Sequence, residues 1–212
     1  MLLDPLYYEQ LLSINDQVTF SITTNLWDFY LHPEKWKAIL CNPRIKVMTS
    51  FQYGAKRRKP NGTSYAEDDF IKVVQKFKSV VGYSPSFIAV ISNENCKYAI
   101  DHVLLAKELG ITCKLNSQLP IGKSDEYYPR YELLKLYFKI IDLGLSEYED
   151  NIAEWKHGRC PFNLQSQCRL HTRTVVVTNN KLKYSYCEDL FQLGYNVDDI
   201  GNITELHKTL HV

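Results

Sequence analysis

The sequence predicts an α/β fold: a parallel sheet, then a small cysteine-bearing region built on a β-hairpin. Three observations carry that prediction. Strand-like runs alternate, four times over, with helical runs whose apolar residues recur at three- and four-residue spacing. Each strand is separated from the next by a helix-length connection, which suits right-handed crossovers between parallel strands and is too long for hairpins. Near the end, Arg-Thr-Val-Val-Val-Thr and Lys-Leu-Lys-Tyr-Ser-Tyr flank Asn179-Asn180, and asparagine tolerates the positive φ values of a two-residue hairpin turn.

Asp4 as N-cap and Pro5 at the first helical position start a helix over residues 6–14. Residues 18–25 alternate, with Val18, Phe20 and Ile22 against Thr19, Ser21 and Thr23, and end in the polar tip Thr-Thr-Asn. A helix over 33–41 precedes a strand over 44–52. The next helix, 67–81, sets Phe70, Val73, Val74, Phe77 and Val81 on one face. Residues 87–92 read as a short strand buried on both faces. Asn95 caps a helix that runs to Leu109 and stops at Gly110, and 111–116 is the strand that follows. Tyr127, Tyr131, Leu134, Phe138 and Ile141 form the core stripe of a helix over 127–143, ended by Gly144. Residues 146–159 read as a link, which places the domain boundary between 1–145 and 146–212.

Composition narrows the function classes. With 45% hydrophobic residues in 212, the chain can bury a globular core. Its 25 basic and 24 acidic residues leave a net charge of +1, so no global field recruits nucleic acid or an anionic membrane. Six cysteines without a signal peptide point to a reducing compartment, the cytoplasm. The most apolar helical stretch, 133–145, is interrupted by Lys135, Lys139 and Asp142 and is too short to span a bilayer.

In parallel α/β folds ligands sit beyond the carboxyl ends of the strands. Those ends carry Thr24 and Asn25, Ser50 and Gln52, Ser92 and Asn93, and Asn116 with Gln118. This polar, uncharged rim suits hydrogen bonding to a ribose, an amino acid or a peptide, and the same residue types also serve as ordinary strand-end caps. Farther on, the hairpin folds Cys187 back toward Cys160 and Cys168. Three gathered thiolates suit an iron–sulfur cluster or zinc, while buried cysteines also act as small core side chains. No phosphate-cradling glycine loop, His-Glu-x-x-His pair or nucleophile elbow is present. The six histidines are scattered and read as surface or packing residues.

At this point the segments resemble a known family, the radical S-adenosylmethionine (SAM) enzymes that modify peptides and carry a SPASM or twitch appendage. Ile-Thr-Thr-Asn-Leu at 22–26 and Val-Met-Thr-Ser-Phe-Gln-Tyr-Gly at 47–54 resemble the third and fourth strands of that family's partial βα barrel. Phe-Ile-Ala-Val-Ile-Ser-Asn and Cys-Lys-Leu-Asn-Ser-Gln-Leu-Pro resemble the fifth and sixth, and the region of Cys160, Cys168, Tyr186-Cys187 and Ile200-Gly201-Asn202-Ile203 is similar to the appendage. The resemblance implies a partial parallel (β/α) barrel lacking its first strands, followed by the hairpin-plus-helix region. It also implies a peptide or protein substrate, and SAM contacts at Ser50 and Gln52, with Asn25 near by and Leu119 beside the adenine. Arg58 or Arg57, in the basic run Lys56-Arg57-Arg58-Lys59, would pair with the SAM carboxylate; most of that run reads as a solvated loop. Cys160, Cys168 and Cys187 would hold one auxiliary [4Fe-4S] cluster, with zinc as the alternative metal and the fourth ligand left open.

Two features of the family are missing: the Cys-x3-Cys-x2-Cys loop after the first strand and the Gly-Gly-Glu-Pro motif after the second. The expectation is a chain that begins just after these motifs and cannot cleave SAM alone. A partner chain or a second copy would then pair with the exposed edge at residues 18–25. The alternative is a non-catalytic module that binds a peptide or partner, its cysteine site holding zinc or nothing.

Overall fold

The computed structural model describes residues 2, 4–14, 16–17, 19–54, 57–118, 128–157, 175–178 and 181–184. The chain divides into two compact units, Met1–Gly158 and Arg159–Val212. In the first, β1 (Phe20–Thr24), β2 (Ile45–Ser50), β3 (Phe87–Ile91) and β4 (Cys113–Ser117) form an all-parallel sheet in the order β1-β2-β3-β4. Helix α1 (Pro5–Ile14) precedes β1, α2 (Trp27–Leu31) and α3 (Pro33–Leu40) join β1 to β2, and α4 (Glu67–Val81) joins β2 to β3. Helix α5 (Ala99–Leu109) joins β3 to β4, and α6 (Arg130–Asp142) and α7 (Asp150–Lys156) follow. The α/β class and the parallel sheet are thus as the alternating pattern predicts. In the second unit β5 (Val175–Thr178) and β6 (Lys181–Tyr184) pair antiparallel, with Thr178 opposite Lys181. Cys160, Cys168, Cys187 and Leu119 lie outside the described residues.

Local chemistry explains the element boundaries. The Leu6 N–H donates to Asp4 Oδ1 at 2.9 Å, the N-cap read from the sequence. Gly110, at φ 64°, ends α5 in the left-handed conformation that glycine reaches without strain. Along each strand burial alternates, so one face takes Ile45, Val47, Phe87, Ala89, Ile91, Cys113 and Leu115 into the core. Beneath β1 and β2 these residues pack with Phe29, Trp36, Ile39, Leu40, Val73 and Phe77. Beneath β3 and β4 they pack with Phe51, Phe70, Val103, Leu133, Tyr137 and Ile140.

Four expectations are corrected. A short helix, α2, follows β1: Leu26 sits at φ 57° with its side chain fully buried, and this left-handed residue turns the chain from strand into helix. Asn95 does not cap α5; residues 96–98 form a 3-10 turn, and the Asn95 amide accepts from Ser92 N–H and donates to Val90 O. Helix α6 buries Leu133, Tyr137 and Ile140, leaving Tyr131, Leu134 and Phe138 exposed. It is apolar on two stripes, and the sheet takes the one whose Tyr137 hydroxyl reaches Leu115 O at 2.8 Å. Residues 146–157 are ordered on the sheet rather than a bare link: Glu149 lies bridged to Cys113, and α7 begins at Asp150.

Candidate functional site

The backbone ladder between β2 and β3 ends near the carboxyl end of the sheet. The ladder continues through Thr49 N–H to Ser86 O and Phe51 N–H to Ile88 O, at 2.8 and 3.2 Å. It then stops, because the Tyr53 N–H turns away to His102 Nε2 at 3.0 Å. Val90 O receives side chains instead, Gln52 Nε2 at 2.6 Å and Asn95 Nδ2 at 2.9 Å. The region beyond the carboxyl ends of the strands is where ligands of parallel α/β folds bind.

The loop that follows β2 lies against these strand ends, where its Arg57 reaches Ser50 and Gln52. An antiparallel bridge between Arg58 and Ser64, with Lys59 N–H to Thr63 O at 2.8 Å and Tyr65 N–H to Arg57 O at 3.0 Å, closes residues 57–65 into a small hairpin around Asn61-Gly62. Alternation within that hairpin sends neighbouring cations to opposite sides. Arg58 points to solvent and donates to Gly62 O at 2.9 Å. Lys59 turns inward to an ion pair with Asp69 at 3.0 Å and lies 5.5 Å from the centre of the Trp27 ring. Arg57 also turns inward. Its Nη1 donates to Ser50 O and Ser50 Oγ, both at 3.0 Å, and its Nη2 donates to Gln52 Oε1 at 2.6 Å.

Arg57 is partly buried, and no ion pair joins it to a carboxylate among the described residues. Burial pulls its guanidinium below the ordinary pKa, with Tyr65 acting the other way, and arginine remains a cation in proteins. Beside it the Tyr65 hydroxyl is buried with no hydrogen-bond partner among the described residues. Burial pushes that phenol above its ordinary value, Asp69 adds to the effect and Arg57 opposes it. Of the five guanidinium N–H groups at most three are committed to Ser50 and Gln52. Arg57 thus keeps free N–H donors and has no carboxylate partner among the described residues, the conditions under which a guanidinium can pair bidentately with a carboxylate.

Of the residues predicted for the site, Ser50 and Gln52 come together through Arg57. Asn25 stands at the end of the adjacent strand, one residue beyond the Thr24 and Thr49 pair, where its Oδ1 accepts the Trp27 N–H at 3.2 Å. Arg58 is outside the constellation. The loop's Asn61-Gly62 dipeptide, a hairpin signal, distinguishes Arg57 from Arg58 in the sequence, because residues across such a turn alternate in direction. Among the described residues no group of three His, Cys, Asp or Glu side chains is placed to hold a metal ion, and no helix is long and apolar enough to cross a membrane.

His102, read as a packing residue, has a positioning role at this site. It is fully buried, and since Nε2 accepts the Tyr53 N–H, the ring proton sits on Nδ1 and goes to Tyr98 O at 2.6 Å. Gly54 completes the anchor at φ 72°, where an added Cβ would lie 3.0 Å from the Tyr98 ring. Gly54→Ala is therefore expected to destabilise the chain by about 1–2 kcal/mol through left-handed strain alone. A urea midpoint equal to wild type would contradict that wedged turn. Comparison with protein-family models, curated proteins and solved structures finds no match to this chain.

Proposed function

We propose that the chain binds S-adenosylmethionine at the carboxyl end of its parallel sheet, as part of a radical SAM-type enzyme of the SPASM/twitch class acting on a peptide or protein. The observation that carries this reading is Arg57, a partly buried guanidinium without a counter-ion among the described residues, which donates to Ser50 and Gln52. Those two residues stand where the resemblance puts the ribose and methionyl contacts, and Arg57 supplies the carboxylate partner. The donor set fits: one cation for the carboxylate, neutral amide and hydroxyl groups beside it, and Asn25 at the neighbouring strand end. The sequential order β1-β2-β3-β4 supports a partial (β/α) barrel, since a barrel is built by adding each βα unit next to the last.

SAM, when bound beside a reducing cluster, supplies the radical chemistry. This chain's described residues hold the carboxylate at Arg57 and fix the guanidinium through Ser50 and Gln52. His102 secures the loop on which Arg57 is carried. In the same reading Cys160, Cys168 and Cys187, which lie outside the described residues, would hold an auxiliary [4Fe-4S] cluster, Leu119 would serve the adenine, and a partner chain or second copy would pair with the edge of β1.

Calorimetric titration of the full chain with SAM and with decarboxylated SAM tests the reading. SAM is expected to bind and its decarboxylated counterpart to bind at least tenfold more weakly, a loss of about 1.4 kcal/mol or more. Equal affinity, or no binding of SAM, overturns it. Anaerobic reconstitution with iron and sulfide is expected to give brown protein that loses its colour in Cys168→Ser, whereas colourless protein with stoichiometric zinc favours the non-catalytic module.

A further inference from the structure

The face of the sheet turned away from the core has a charge pattern that the SAM reading leaves unused. Along the strands it carries Ser21 and Thr23 on β1, Lys46, Met48 and Ser50 on β2, Ile88 and Val90 on β3, and Lys114 and Asn116 on β4. No aspartate or glutamate stands on this face among the described strand residues. The chain as a whole is nearly neutral, at +1, so an acid-free face is a local arrangement and not a reflection of composition. Lys114 is the central case: it is partly buried in mid-strand, and no carboxylate pairs with it among the described residues.

Register fixes where it stands. Ser50 pairs with Ile88, and Ile88 with Lys114, so the three form one row across the sheet; Val90 and Asn116 are neighbours in the next. Two inter-strand steps separate Ser50 from Lys114, about 10 Å. The row thus runs from the Arg57 guanidinium, which donates to Ser50, over an apolar strip of Ile88 and Val90, to an ammonium flanked by an amide. That sequence of cation, apolar strip, cation and amide complements a ligand with a carboxylate beside Lys114 and aliphatic groups over β3.

We propose that this face docks an acidic segment of the peptide substrate, with Lys114 receiving an aspartate or glutamate side chain and Ile88 and Val90 receiving its apolar neighbours. The proposal rests on the SAM reading only for the expectation that the ligand is a peptide. A nucleic acid fits less well, because the described strand residues of this face offer few cations and no aromatic ring on which a base could stack.

The test is fluorescence anisotropy of the full chain with fluorescein-labelled Leu-Glu-Leu-Glu-Leu and its glutamine counterpart, in about 0.15 M salt, where exposed charges are largely screened. The acidic peptide is expected to bind at least fivefold tighter than the glutamine one, and Lys114→Gln to remove that preference. Lys114→Arg is expected to keep the preference, which separates loss of charge from misfolding. Lys76→Gln, the same charge change on exposed α4, is expected to alter affinity less than twofold. Equal effects of the Lys114 and Lys76 changes, no preference for the acidic peptide, or displacement of it by a single-stranded oligonucleotide at lower concentration than by unlabelled peptide would each overturn the proposal. SAM affinity, measured on the same variants, is expected to be unchanged by Lys114→Gln. Failure of SAM binding alongside Lys114-dependent peptide binding sinks the SAM reading and leaves the acidic docking face standing.

Discussion

Glu149→Ala is expected to lower the unfolding free energy by about 2–4 kcal/mol, since each buried donor left without an acceptor costs about 1–3 kcal/mol. The Glu149 side chain is fully buried, and it accepts Leu115 N–H at 2.9 Å, Ile152 N–H at 2.8 Å and the Asn151 amide at 3.1 Å. Truncation leaves those donors unpaired and removes the cap of α7. The same group gives a pH signature. Burial raises the Glu149 pKa to about 7 against the donors that oppose it, so the folded chain keeps a proton that the unfolded chain loses from pH 4.5 upward. Its contribution is full below about 4.5, falls as pH rises to about 7 and then levels, a span of roughly 3 kcal/mol. His102 slopes the other way. Burial lowers its pKa to about 4, so its neutral ring favours the fold above 6.5, and that support is lost as pH falls toward 4. Wild type should therefore show a shallow profile between pH 4.5 and 6.5, while Glu149→Gln rises through this window with the histidine slope exposed. Urea midpoints across the range decide the matter; parallel profiles for wild type and Glu149→Gln would refute the buried carboxyl account.

Arg57→Ala is expected to weaken SAM binding by at least thirtyfold, corresponding to about 2 kcal/mol or more for a partly desolvated cation holding a carboxylate. Arg58→Ala, on the outer side of the hairpin, should change affinity less than twofold. Arg57→Lys should recover only part of the loss, since an ammonium cannot match the guanidinium fork. Stability separates this residue from a structural one. Arg57 has no ion pair among the described residues and its burial is unfavourable to its charge, so the alanine variant should unfold within about 1 kcal/mol of wild type. Binding that survives in Arg57→Ala would remove the basis for the carboxylate site.

Most of the sheet was legible because its signals are local. The alternation of Phe20 and Ile22 with Ser21 and Thr23, the cap at Asp4 and the stop at Gly110 act within a few residues of where they are written. What escaped depends on partners distant in the chain. The choice of Tyr137 over Tyr131 on α6 follows from a hydroxyl that finds Leu115 O, 22 residues back. Glu149 reads as one more acidic residue in a polar stretch until the bare edge of β4, 34 residues earlier, claims its carboxylate. Within the site, the polar strand ends and the basic run were evident in the sequence. That the inner arginine is Arg57 emerges only when the loop's own small hairpin is recognised.

Closure of the β4 margin gives the sheet a direction of growth. Leu115, midway along that margin, has its outward N–H taken by Glu149 and its outward C=O shared by Tyr137 and Asn151. No further strand can register there without evicting three side chains. The opposite margin, β1, has only β2 for a neighbour among the described strands of its sheet. Any enlargement of this sheet, whether by more of the same polypeptide or by another, is therefore one-sided, and a cross-linker placed at Ser21 or Thr23 would report it while one placed along β4 would stay silent.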